Sequence, residues 1–130
     1  MKSTSVPMTA AMFMATKTSE WNEKQKFIKT KDVGGEGEHV WQREAFMFMP
    51  QSGHKGKVFS IERLRRVRIE GKTAHRHRVG EVEYRIGYYI ASGKPGPRQG
   101  TWLWAQYCPM IPKKDFEPLF KRAKSQGVIV

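Results

Sequence analysis

EVEYRIGYYIA, residues 81–91, is the stretch that decides the fold. Val82, Tyr84, Ile86, Tyr88 and Ile90 fall on one side of an extended chain, and Glu81, Glu83, Arg85, Gly87 and Tyr89 on the other. This two-residue alternation is that of a β-strand with one apolar face. The apolar set is expected to face the core, which leaves Tyr89 on the charged side beside Arg85. The following SGKPGPRQG (92–100) reads as a loop, and TWLWAQYC (101–108) alternates again, so the two alternating segments predict an antiparallel pair. On the second of them Trp102 and Trp104 share one face and Leu103, Ala105 and Tyr107 the other, and either face can be the core.

Upstream, KVFSIERLRRVRIEGK predicts a strand near 57–61 and another near 64–70, and VWQREAFMFMP (40–50) a strand that ends at Pro50, followed by the loop QSGHKG. DVGGEGEHV (32–40) is a Gly-rich turn without phosphate-loop spacing. In SEWNEKQKFIKTK the acidic residues come first and the lysines last, which suits a helix dipole and predicts a helix over about 20–30. Residues 1–17 carry no period and read as a mobile N-terminal arm ahead of a single basic domain, 18–130. At the other end Pro112 opens a helix in which Phe116, Leu119, Phe120 and Ala123 recur until Gly127, with Pro118 tolerable only in the first turn. The expected fold is α+β: a curled antiparallel sheet or small β-barrel of about five strands with an N-terminal and a C-terminal helix.

With 130 residues and 38% hydrophobic content, the chain can fill one modest core. PMTAAMFMA (7–15) is too short and interrupted for a signal peptide, and no run approaches the roughly 20 apolar residues of a membrane span. The single cysteine, Cys108, forms no internal disulfide and is expected to be a buried thiol, which suits the cytoplasm.

Charge is the dominant signal: 24 Lys and Arg against 12 Asp and Glu give +12 and a pI near 10.1. Much of the excess is local, with nine basic residues against Glu62 and Glu70 between positions 54 and 78. A field of this sign favours a polyanion, nucleic acid first and an acidic protein partner second, with no membrane role. Arg66 and Arg68 project from one face of a strand, and a hairpin turning near Gly71–Thr73 is expected to bring Arg76 and Arg78 alongside them. Lys55, Lys57, Arg63, Arg65 and Lys72 extend this phosphate-binding surface. Lys94 and Arg98 lie in the Gly/Pro loop that could close over a bound strand. Arg85 adds a nucleic-acid-binding cation on the charged face beside Tyr89, and Tyr89, Trp102 or Trp104 supply flat rings for contact with exposed bases.

His75 and His77, with Arg76 between them, form an H-x-H pair whose further ligands would have to come from His39, His54, Cys108 or a carboxylate at no diagnostic spacing. No metal and no cofactor is expected. Two alternatives to a non-enzymatic nucleic-acid-binding protein, DNA-binding or RNA-binding, stay open. One is a metal-dependent nuclease or other nucleic-acid-processing enzyme built on Glu81, Glu83 and His75 or His77. The other is a basic protein-interaction subunit of a larger complex. No catalytic residue is assigned, and homodimer formation stays open.

Overall fold

The computed structural model describes residues 8–92, 101–105 and 107–130. Its elements are α1 (Ala10–Glu23), β1 (Phe27–Lys31), β2 (Glu38–Pro50), β3 (Lys57–Glu70), β4 (Val82–Ala91), β5 (Trp102–Ala105) and α2 (Lys113–Ser125). The strands form one antiparallel meander in the order β1-β2-β3-β4-β5, curled into a half-barrel, so the expected α+β architecture is the observed one. Register shifts between Val40 and Trp41 and between Arg43 and Ala45 interrupt the long β2–β3 hairpin and add to its curl.

Both faces of the sheet are covered. Met47, Met49, Phe59 and Ile61 point to one side, where Leu119 and Ala123 of α2, and Val128 beyond it, close the core. The intervening residues Phe46, Phe48 and Val58 point to the other side, together with Tyr89, Trp102 and Trp104, and there Phe13 and Trp21 of α1 pack on them. Trp104 lies directly over Gly87, where a Cβ would come within 2.1 Å of the indole, so the absence of a side chain at 87 makes room for the ring. α1 starts at Thr9, whose hydroxyl accepts a hydrogen bond from Met12 N at 3.2 Å. α2 is tied to the β2–β3 turn by Asp115, whose carboxylate accepts hydrogen bonds from the backbone N–H and the hydroxyl of Ser52.

Several expectations are corrected. The first helix covers 10–23 rather than 20–30, so residues 10–17, assigned to a mobile arm, are the first half of α1, and FIKTK is edge strand β1. Phe13 and Trp21 are eight residues apart and share one helical face, but Ala10, Ala11 and Met12 before Phe13 and Met14 and Ala15 after it blur the period. The two strands expected over 57–61 and 64–70 are one continuous strand, β3. Pro118 sits beyond the first turn of α2 without ending it. Cys108 is exposed, because it follows β5 in the extended segment leading to α2 and stands clear of both cores.

The alternation of β4 is real and Tyr88 packs against the α2-side core as expected, but the opposite face, expected to be wet, is covered in part as well. Tyr89 is buried, whereas Tyr84, Ile86 and Ile90 are partly open, because α1 covers the Tyr89 side while α2 reaches only part of the other. Among the described residues no helix is long and apolar enough to cross a membrane.

Candidate nucleic-acid interface and its polar anchor

The basic residues singled out from sequence separate into two populations. Those on the sheet are engaged within the fold. Arg63 and Arg65 both bind Glu44, at 3.3 and 2.7 Å. Arg63 also donates to the carbonyls of Gly127 and Val128, pinning the C-terminal end against the sheet. Arg85 pairs with the fully buried Glu62 at 2.5 Å, and Arg68 with Glu70 at 2.7 Å. Lys57 lies over the Tyr88 and Phe59 rings and donates to the Met110 carbonyl, and burial pushes its pKa down.

The second population is exposed. Lys72, Arg76 and Arg78 stand on the β3–β4 loop (71–81) and make no ion pair among the described residues. The hairpin expected at Gly71–Thr73 does not form: β4 begins only at Val82 and pairs with Arg65, so Arg76 and Arg78 are loop residues and do not line up beside Arg66 and Arg68. Lys55 is exposed on the β2–β3 turn at the far end of β3, a strand length of roughly 40 Å from the loop at about 3.3 Å per residue. Lys94 and Arg98 lie outside the described residues.

The aromatics singled out for base contact, Tyr89, Trp102 and Trp104, pack within the fold, Tyr89 buried and the two tryptophans partly so. Trp102 stacks on Phe13 with ring centroids 4.7 Å apart and donates from Nε1 to the Met8 carbonyl. Trp104 packs edge-on against Tyr89 and carries the Arg85 guanidinium on its face. Tyr89 itself is buried, which pushes its phenol up to about 12.

The basic loop is held by a polar anchor that sequence reasoning missed. Gly37 N and Glu36 N donate to the Lys72 carbonyl, and Ala74 N donates to Asp32 Oδ2 at 2.7 Å. A Cβ at Gly37 would fall 2.7 Å from the Glu70 carbonyl oxygen, so the backbones meet only because residue 37 is glycine. Asp32 Oδ1 faces His39 Nε2 at 2.8 Å and His77 Nε2 at 3.5 Å. Arg66, only 2% exposed, lies on the Trp41 ring and donates from Nε to His39 Nδ1. It pairs with Glu81 at 2.6 Å and with Glu83 at 2.9 Å. These two glutamates, the carboxylates of the nuclease alternative, therefore neutralise a guanidinium, while His77 turns to Asp32. Lys31, Val33 and His75 join this cluster around a pocket of about 230 Å³. The H-x-H spacing was the one available signal; Asp32 and His39 reach it only through the fold of the 32–37 turn.

The chain matches no known protein family, no curated protein and no solved structure.

The Ala74 N–H and then His39 hold the Asp32 carboxyl below its ordinary value of 3.8. Hydrogen bonds from Arg65 and from the Arg78 backbone likewise hold Glu44 and Glu81 below 4.5. Groups with lowered folded pKa values bind fewer protons folded than unfolded, so their contribution is complete above the ordinary carboxylate values and is lost as pH falls through the lowered ones. The thermal midpoint is expected to hold near neutral pH and to drop progressively below about pH 4.5, with Asp32→Asn removing part of that dependence. A midpoint flat down to about pH 3 would contradict the anchor's role.

Proposed function

We propose that the protein is a non-enzymatic nucleic-acid binder whose phosphate contacts centre on Lys72, Arg76 and Arg78 of the β3–β4 loop, with Lys31 beside them. One observation carries this reading: the sheet arginines are matched to carboxylates, whereas the loop residues GKTAHRHRVG (71–80) include no acid, the carboxylate of Glu81 that follows them is paired with Arg66, and Lys72, Arg76 and Arg78, on an anchored backbone, make no ion pair among the described residues. Cations held close together repel one another and gain most from a ligand whose negative charges are repeated along a chain. Prior anchoring of the loop lowers the ordering cost of that contact. The aromatic groups contribute through the fold rather than by stacking on bases.

Binding of short single- and double-stranded DNA and RNA, followed by fluorescence anisotropy against salt concentration, tests the reading. The combined Lys72→Ala, Arg76→Ala, Arg78→Ala variant is expected to lower the slope of log affinity against log salt by about 2–3. Lys121→Ala, Arg122→Ala, Lys124→Ala on α2 removes the same charge from elsewhere and is expected to leave most of that slope in place. No affinity at low salt, or an equal loss in the two triple variants, would sink the proposal.

A further inference from the structure

We propose that Asp32, His39 and His77 form a binding site for a borderline divalent transition ion of the Zn²⁺ class. The three residues come from the 32–37 turn, from β2 and from the β3–β4 loop, and their ligand atoms all lie within 4.8 Å of one another. A tetrahedral ion with bonds of about 2.0–2.1 Å holds its ligand atoms roughly 3.3–3.4 Å apart. The Asp32 Oδ1 to His77 Nε2 distance of 3.5 Å already matches this, and the 2.8 Å separation from His39 Nε2 needs a small opening. Two imidazoles and one carboxylate select Zn²⁺, Co²⁺ or Ni²⁺ over Mg²⁺ and Ca²⁺, which prefer all-oxygen shells.

Local charge supports the assignment. In a chain of net charge +12, Glu81 and Glu83 pair here with one buried guanidinium, Arg66, which His39 separates from Asp32, and Lys31 stands at the pocket wall. Asp32 is itself buried, and among the described residues its side-chain partners are the two histidines. The carboxylate is already oriented, because Ala74 N holds Oδ2 and leaves Oδ1 toward the imidazoles. The adjoining pocket, with His75 on its wall, leaves a fourth position to water.

Arg66 determines what coordination does to His39. Because Arg66 Nε donates to Nδ1 at 3.1 Å, the ring proton sits on Nε2 and is donated to Asp32. Coordination through Nε2 of the neutral ring places its proton on Nδ1, so Arg66 Nε, which donates there without the ion, turns away while its terminal nitrogens keep Glu81 and Glu83. The same coordination cross-links the β3–β4 loop to β2, so the ion would fix the loop that carries Arg76 and Arg78.

The inference does not rest on nucleic-acid binding and is read without it. The full chain, stripped with chelator, is titrated with Zn²⁺ by calorimetry and with Co²⁺ by visible absorption. One saturable site is expected for each, with the ligand-field bands of a tetrahedral Co²⁺ complex and a raised thermal midpoint, and no response to Mg²⁺. His77→Ala, on an exposed loop, is expected to weaken binding by more than about a hundredfold, since loss of a ligand exceeds loss of an outer partner. Asp32→Asn should do the same, and His54→Ala on the distant β2–β3 turn should bind as the parent does. Absence of a saturable site, or an unchanged titration in His77→Ala, overturns the proposal, as does a comparable loss in His54→Ala.

Discussion

Glu62→Ala is expected to lower stability by about 3–5 kcal/mol, the range found when one partner of a buried ion pair is removed. Glu62 is fully buried on the α1 face of the sheet and accepts from Arg43 Nε at 3.2 Å and from Arg85 Nε and an Arg85 terminal nitrogen at 2.5 and 3.0 Å. The two arginines do not contribute equally to the loss. Arg85 is about a third exposed and can turn to water, whereas the Arg43 side chain is 4% exposed. Among the described residues Arg43 would keep its bond to the Gln25 carbonyl and the face of Trp21, 3.7 Å from its guanidinium. Burial already pushes the Arg43 pKa down, and Glu62 is the main group opposing that shift. Urea unfolding measures the effect. The companion variant Glu62→Leu, Arg43→Met removes both charges and is expected to be closer to the parent than Glu62→Ala, because the cost lies in the charge left unpaired. A Glu62→Ala midpoint within about 1 kcal/mol of the parent would show that Arg43 finds water despite its burial.

This network also shows where sequence reasoning stops. Alternation in EVEYRIGYYIA identified β4, and the register Ala91↔Trp102 bears out the antiparallel pair with the next segment. Yet period two says only that alternate residues share a face. When helices cover both sides of a sheet, the face rich in Val and Ile need not be the more buried one. Tyr89 is buried because Phe13 and Trp21 come down on it from α1, and the segment that supplies Phe13 read as an arm. The arginines were legible as a cluster but not as partners: Glu44, which holds Arg63 and Arg65, is about twenty residues away on the neighbouring strand. Asp32 and His39, separated by a Gly-rich turn, carried no spacing signal, and only the fold brings His77 to them.

Trp21→Ala is the second change with a large expected effect, a loss of about 3–5 kcal/mol, as for other large aromatics removed from a core. Trp21 is 3% exposed, with Phe46 and Phe48 at ring-centroid distances of 5.0 and 4.9 Å. With Phe13 it is one of the two buried side chains of α1, so the helix has little else to hold it on the sheet. The indole also covers Arg43, which means that its removal uncovers the ion pair with Glu62. Trp21→Ala and Glu62→Ala therefore act on one guanidinium from two sides. Once Trp21 is gone, water reaches Arg43 and the further loss on removing Glu62 is smaller. The double variant is expected to fall short of the summed single losses by about 1–2 kcal/mol, within the range for residues in direct contact. Strict additivity in urea unfolding would mean that Trp21 holds α1 through Phe46 and Phe48 alone and does not shield the charge.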